Sequence, residues 1–162
     1  MGLKILNKRK DGYHNLHSLF VELTLADKLI LTPSSNFKLS ADSSNKIHPP
    51  LDDTNLVSRA YKLIRQMAGS VSSEYAVHLK KVIPIGSGLG GGSSNAANTL
   101  KALNELWELK YSSNKLEDLS TKLGSDVPFF IRGGFQLAEG IGAKLTPQDN
   151  QILHGLHFLL II

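Results

Sequence analysis

The chain has 162 residues, of which 41% are hydrophobic, and a formal net charge of +4 at pH 7. This length suits one hydrophobic core rather than two well-built domains. The absence of cysteine excludes disulfides, a thiolate nucleophile and a cysteine zinc site, and the six histidines are scattered. No apolar run approaches the roughly 18 residues of a membrane span. We therefore expect a cytoplasmic protein without a membrane partner.

The first part of the chain predicts strands. Apolar residues at every second position predict a strand over 19–25 and another over 28–32, with Pro33 as its stop. A third strand is expected over 37–40 and a loop over 42–50. These short alternating segments are typical of a sheet with one buried face.

A helix is expected after that loop, capped by Thr54 or Asn55. Its apolar stripe consists of Leu56, Ala60, Leu63 and Met67. The next segment, 75–82, alternates as a half-buried strand does, and Pro84 ends it.

A glycine-rich junction over 84–94 joins this strand to another periodic helix. Five glycines allow several backbone N–H groups to approach an anion, and the helix adds the positive end of its dipole. Ser93 and Ser94 offer hydroxyls in the first turn. The junction therefore predicts a phosphate-binding loop, although a flexible Gly/Ser linker is the alternative. The helix carries Ala96, Leu100, Leu103 and Trp107 on its buried side.

The remainder predicts a short helix opened by Ser113 or Asn114, and a hairpin with strands over 135–138 and 144–146. The apolar residues 157–162 are expected to form a last strand. Asp126, between Gly124 and Pro128, reads by itself as a turn or cap residue.

Three motifs together resemble a known family. The segment Pro84-x-x-x-Gly88-Leu89-Gly90-x-x-Ser93-Ser94-x-Ala96-Ala97 is similar to the nucleotide loop of the GHMP small-molecule kinases. Asp11-Gly12-Tyr13-His14 and Gly124-Ser125-Asp126-Val127-Pro128 resemble segments of the branch that phosphorylates a cytidine diphosphate-linked methylerythritol in isoprenoid synthesis. The resemblance extends over nearly all of the chain.

The resemblance implies an α+β fold for residues 1–162, similar to domain 2 of ribosomal protein S5, with a mixed sheet packed with helices. It implies ATP and Mg²⁺ as cofactors, with the nucleotide bound by Pro84, Gly86, Gly88, Leu89, Gly90, Gly91, Gly92, Ser93, Ser94 and Asn95. It also places Asn55 and Lys80 near the adenine and makes Ser94 a contact of Mg²⁺.

For the acceptor, the resemblance makes Asp126 the catalytic base toward the 2-hydroxyl group and a substrate contact. Tyr13 and His14 match residues that meet the cytosine, the first by stacking and the second by hydrogen bonding. The expected compartment is the bacterial cytosol, or the plastid stroma in a plant.

The family pattern also has a first strand with a catalytic lysine and a second domain, neither of which is in these 162 residues. We therefore expect an incomplete and inactive fragment that can form a homodimer through its open edges. Two alternatives stay open, namely another GHMP kinase with a different acceptor and a non-catalytic nucleic-acid-binding domain. The basic residues lack interleaved aromatics, so we expect no nucleic acid partner.

Overall fold

A computed structural model describes residues 4–9, 11–12, 14–43, 47–69, 73–142 and 144–160. The elements in chain order are β1 (Lys4–Lys8), β2 (His14–Val21), β3 (Lys28–Ser34), β4 (Lys38–Ser43), α1 (Leu56–Met67), β5 (Glu74–Lys81), α2 (Gly91–Leu106), α3 (Ser113–Ser120), α4 (Val127–Arg132), β6 (Phe135–Gly140) and β7 (Lys144–Pro147). A 3-10 turn follows at Asn150–Leu153. The α+β class is confirmed.

The chain divides into two compact units. One is formed by the two chain ends, up to Leu23 and from Arg132, and the other by Thr24–Ile131. In the described residues, no helix combines the length and the apolar character needed to cross a membrane.

The unit of the chain ends contains an antiparallel sheet with the order β1-β2-β6-β7. The predicted hairpin is confirmed as β6 and β7. The predicted strand over 19–25 is wrong in its bounds, because β2 begins at His14 and its last pair with β6 is Val21↔Phe135. The expected final strand is also absent over 157–160, which pair with no described strand and expose Leu159 to 88%.

The unit of Thr24–Ile131 contains a three-stranded sheet with β5 in the middle, antiparallel to β3 and parallel to β4. Pro33 lies within β3 and pairs with Tyr75, so the expected stop at Pro33 is wrong. The position is tolerated because β3 is an edge strand, where a missing N–H breaks no second ladder.

Helices α1 and α2 pack together and cover one face of this sheet. Asn55 caps α1 as predicted, since its Oδ1 accepts a hydrogen bond of 2.9 Å from the Val57 N–H. The core between the layers includes Val57, Ala60, Tyr61, Ile64, Val77, Ala96, Ala97, Leu100 and Leu103. Trp107 is half-buried, packs against Tyr61 and donates from Nε1 to the Ser73 carbonyl. This arrangement places the end of β5 beside the beginning of α2.

Candidate functional site

A cavity of about 390 Å³ lies within the unit of Thr24–Ile131. Its walls come from the segment before α1, the end of β5, the glycine-rich junction, the first turn of α2 and Asp126. The lining residues are Pro49, Pro50, Thr54, Asn55, Leu56, Leu79, Lys81, Pro84, Ile85, Gly86, Ser87, Gly88, Leu89, Gly90, Gly91, Gly92, Ser93, Asn95 and Asp126. The predicted nucleotide loop and the predicted catalytic aspartate therefore line the same cavity.

Three of the predicted site residues that the structure describes are not found in this lining. Lys80 and Ser94 belong to the same unit but lie outside the lining. Ser94 is one residue beyond Ser93 on α2, which turns its side chain by about 100° around the helix. His14 is the exposed first residue of β2 in the other unit, and Tyr13 lies outside the described residues. Their contacts with a cytosine stay predictions.

The beginning of α2 leaves backbone donors open toward the cavity. The first hydrogen bond into the helix runs from the Ser94 N–H to the Gly90 carbonyl at 2.8 Å. The N–H groups of Gly91, Gly92 and Ser93 have no intrahelical acceptor, and no side chain caps the described end of α2. Such donors, together with the helix dipole, suit an anion.

Gly90 is required at its position for two reasons. Its φ is +69°, in the left-handed region that side chains rarely adopt. A Cβ atom there would also lie 2.8 Å from Cζ of Phe130, which belongs to α4. The glycine loop therefore rests on the helix that follows Asp126, and the two parts of the site contact each other directly.

Asp126 is exposed, immediately before α4. Its Oδ1 accepts a hydrogen bond of 3.2 Å from the Ser125 hydroxyl. Among the described residues that line the cavity, Asp126 alone is acidic. It is therefore the carboxylate available to accept a proton or to bind a cation beside the loop.

Lys81, the last residue of β5, also lines the cavity, and its side chain is only 5% exposed. Its ammonium donates to Oδ2 of Asp27 at 2.6 Å and to the Ile83 carbonyl. Burial by itself would raise the pKa of Asp27, but hydrogen bonds from Lys81, from the backbone and from Asn95 hold it below its usual value. The carboxylate is therefore ionised at neutral pH.

Sequence reasoning selected Lys80 and missed Lys81 and Asp27. The signal for Lys81 was present, because Tyr75, Val77 and Leu79 alternate on the buried face of β5 and Lys81 continues that series. Lys80 is exposed on the opposite face. Lys80 does not line the cavity, and its place near an adenine stays a prediction.

Both polar atoms of the Asn55 side chain form hydrogen bonds within the chain. Its Oδ1 caps α1, and its Nδ2 donates to the Pro50 carbonyl at 2.6 Å. These bonds fix the segment from Pro50 to Val57 as one wall of the cavity. Its predicted contact with adenine stays a prediction.

Asp126 gives the cavity one carboxylate that fits Mg²⁺ bound together with phosphate. In the part of the chain that the structure describes, no three His, Asp or Glu side chains gather as metal ligands. Mg²⁺ commonly keeps several waters and is bound by one or two carboxylates together with substrate phosphates. Asp126 offers one such carboxylate next to open phosphate donors.

Comparison with known proteins identifies the family. Residues 55–134, which include α1, the glycine loop and Asp126, match the family described as the GHMP kinases N terminal domain. By sequence and by fold, the chain carries the N-terminal domain of the GHMP kinases.

Within this family, the similar proteins share the name of one kinase. The 4-diphosphocytidyl-2-C-methyl-D-erythritol kinase of Chlorobium phaeobacteroides is 44% identical over 146 residues, which are 90% of this chain and 48% of that protein. The enzyme of the same name from Deinococcus radiodurans is 44% identical over 99% of this chain and 52% of its own length. A crystal structure of 4-(cytidine 5'-diphospho)-2C-methyl-D-erythritol kinase superposes with a TM-score of 0.77 at 40% identity, covering 91% of this chain and 51% of that one. The chain thus spans about half the length of these relatives.

Proposed function

We propose that this chain is the nucleotide-binding domain of an ATP-dependent kinase that phosphorylates the 2-hydroxyl group of 4-diphosphocytidyl-2-C-methyl-D-erythritol in isoprenoid synthesis. The observation that carries the proposal is the open first turn of α2, whose N–H groups and glycines line one cavity with Asp126. The names of relatives at 44% identity support the choice of acceptor.

In this proposal the loop binds the phosphates of ATP through the N–H groups of its glycines and of Ser93. Phosphoryl transfer depends on positioning and on electrostatic stabilisation, and both improve when the donors are fixed before the ligand arrives. Asp126 orients the acceptor hydroxyl and accepts its proton. Mg²⁺, held by Asp126 and the phosphates, would supply charge neutralisation at the transferred group.

Tyr13 and His14 complete the proposal on the acceptor side. By resemblance they bind the cytosine, the tyrosine through its ring face and the histidine through a ring nitrogen. A cytidine diphosphate compound is therefore expected to bind this chain, and His14→Ala is expected to weaken that binding without changing the affinity for ADP.

Calorimetry with ADP tests the loop. Gly88→Ala is expected to weaken ADP binding by about tenfold or more, because the left-handed glycine at φ +76° can no longer hold the loop open to the phosphates. Gly69→Ala is the matched control: its φ is +64°, its Cβ also meets nothing within 4 Å, and it lies just after α1, outside the cavity lining. Equal ADP affinity in both variants and the parent would overturn the loop assignment.

The role of Asp126 is tested by the effect of Mg²⁺ on ADP affinity. Asp126→Asn is expected to remove much of the gain that Mg²⁺ gives, since the amide is a poor ligand for a hard cation. Asp118→Asn, an exposed carboxylate on α3, serves as the control. An unchanged Mg²⁺ effect in Asp126→Asn would contradict the assignment. Binding of duplex DNA with a steep salt dependence, without ADP binding, would instead favour the nucleic-acid alternative.

A further inference from the structure

One buried carboxylate lies at the base of the glycine loop and contacts both of its ends. The side chain of Asp27 is fully buried, immediately before β3. Its Oδ1 accepts hydrogen bonds from the N–H groups of Val82 and Ile83, at 2.7 and 2.8 Å. These two residues are the last before the loop begins at Pro84.

The other oxygen of Asp27 holds the far side of the loop. Oδ2 accepts from Nζ of Lys81 at 2.6 Å and from Nδ2 of Asn95 at 2.9 Å. Asn95 lies in the second turn of α2, immediately beyond the loop and the open N–H groups. Four donors, two on each oxygen, thus connect the end of β5 and the beginning of α2 to one side chain.

Lys81 fills the space between this carboxylate and the helix. A Cβ atom on Gly91 would lie 3.0 Å from Nζ of Lys81 and 3.0 Å from Cγ2 of Ile83, so the first turn of α2 rests directly on both. The charge of Lys81 also balances that of Asp27. The buried ion pair of Lys81 and Asp27 therefore adds no net charge beside the helix. The positive end of the helix dipole stays available to an anion.

The loop itself has little to hold it in place. Its described internal hydrogen bonds are long, with 3.4 Å from the Ser87 N–H to the Pro84 carbonyl and 3.5 Å from the Leu89 N–H to the Ser87 hydroxyl. Bonds of this length are weak. Besides the packing of Gly90 on Phe130, the loop is thus fixed mainly at its two ends, and Asp27 bonds to both of them.

We infer that Asp27 is a positioning residue of the nucleotide site, which sets the glycine loop and the first turn of α2 in the conformation that receives phosphate. The inference rests on the proposed function of the loop. Preorganisation of this kind lowers the ordering cost of binding, and the saving grows with the number of phosphate contacts. Asp27 touches no ligand and acts through Lys81 and Asn95.

The test uses Asp27→Asn, which keeps the shape but removes the negative charge and replaces one of the two acceptor oxygens by an NH₂ group, which must face one of the two donor pairs. Affinities for AMP, ADP and ATP are measured by calorimetry. The expected loss is small for AMP and reaches about tenfold or more for ATP. An equal loss for all three nucleotides, as general destabilisation would cause, or no loss for any of them, would overturn the inference.

Glu74→Gln is the matched control. It disrupts another ion pair of the same unit, at the opposite end of β5, where Glu74 accepts hydrogen bonds from Arg65 and Tyr61. Its ratio of ATP to AMP affinity should equal that of the parent. A changed ratio in Glu74→Gln would show that any loss of stability has this effect and would also overturn the inference.

A second measurement separates this inference from the proposed function. NMR order parameters of the amides in 85–90 are recorded without nucleotide for the parent, for Asp27→Asn and for Asn95→Ala, which removes only the connection to α2. The order parameters should fall in both variants and stay unchanged in Glu74→Gln. If they fall while the parent binds no nucleotide, the proposed function fails and Asp27 remains the anchor of the loop. If Asp27→Asn does not fold, Asn95→Ala decides, and unchanged order parameters there would refute the role.

Discussion

An ion pair lies near each end of strand β5, and the two ends differ in whether backbone donors beside the pair remain open. At its beginning, Glu74 pairs with Arg65 of α1 at 2.7 Å, and the side chains are 26% and 35% exposed. At its end, Lys81 pairs with Asp27 at 2.6 Å, and these side chains are 5% and 0% exposed. The same strand thus carries one half-exposed and one buried charge pair.

The surroundings of the two pairs explain their different uses. Near Glu74, Tyr61 donates to the carboxylate and accepts from the Tyr75 N–H, while Arg65 also donates to the Gly69 carbonyl. These groups bind one another and make a structural connection. At Lys81 the carboxylate is equally well bonded, yet in the described residues the first turn of the adjoining helix presents N–H groups that have no intrahelical acceptor and no side-chain cap. An anion site requires open N–H donors that are held in fixed positions, and the buried ion pair beside the first turn of α2 provides such support.

Removing each carboxylate in turn should give the largest difference in stability between the two ends of β5. Asp27→Ala removes the carboxylate that balances the charge of the buried Lys81 ammonium and is expected to lower the free energy of unfolding by about 3–5 kcal/mol. Glu74→Ala should cost only about 1–2 kcal/mol, because water can solvate the half-exposed Arg65. Urea unfolding measures both values. Equal losses would show that the two pairs are equivalent in stability.

Acid should weaken both ends of β5 by a smaller amount. Hydrogen bonds from Arg65 and Tyr61 hold the pKa of Glu74 below its usual value, and the pKa of Asp27 is lowered too. A lowered folded-state pKa gives stability that is complete above the unfolded-state value, about 4, and is lost as the pH falls toward the folded-state value. The free energy of unfolding should therefore decline below about pH 4.

The variants identify the source of that decline. Asp27→Asn and Glu74→Gln should each flatten the acid dependence in unfolding experiments between neutral pH and the acid limit. The parent slope persisting in both variants would contradict the assignment of acid sensitivity to these two carboxylates.

Two neighbouring glycines give the smallest and most local test. Gly91→Ala would place a Cβ atom 3.0 Å from Lys81 and Ile83, whereas the Cβ in Gly92→Ala would meet only Leu56 at 3.5 Å. Gly91→Ala should lower stability by about 1 kcal/mol through overpacking. Gly92→Ala should keep it or raise it by up to about 1 kcal/mol through helix propensity. Thermal unfolding compares them, and a loss in Gly92→Ala equal to that in Gly91→Ala would argue against the packing at Lys81.

Local patterns in the sequence were sufficient for much of the fold. Helix α1, its Asn55 cap and the glycine junction were predicted, because helix periodicity, capping and glycine content act over a few residues. The predicted stripe of α1 was wrong in its face, since the buried residues are Val57, Ala60, Tyr61 and Ile64 while Met67 is exposed. The β2 bounds and the course of β3 through Pro33 were not predicted, since both depend on the pairing partner. The lack of a strand over 157–160 has the same origin, because an apolar run forms a strand only where a neighbour can bond it.

Prediction of the site residues from the sequence was limited in the same way. The loop and Asp126 were recognisable from motifs, and the face of Lys81 could have been read from the alternation of β5. Asp27 could not, because its partners Lys81 and Asn95 lie 54 and 68 residues further along the chain. Only the folded chain brings a carboxylate before β3 beneath a loop that follows β5.

The most direct test of the central claim is an NMR titration of this chain with ADP and with inorganic triphosphate, following the backbone amides. The account predicts that the amides of 86–94 shift saturably with both ligands, because the phosphates bind at the open beginning of α2. Shifts confined to other parts of the chain, or none at ligand concentrations that saturate ordinary nucleotide sites, would contradict it.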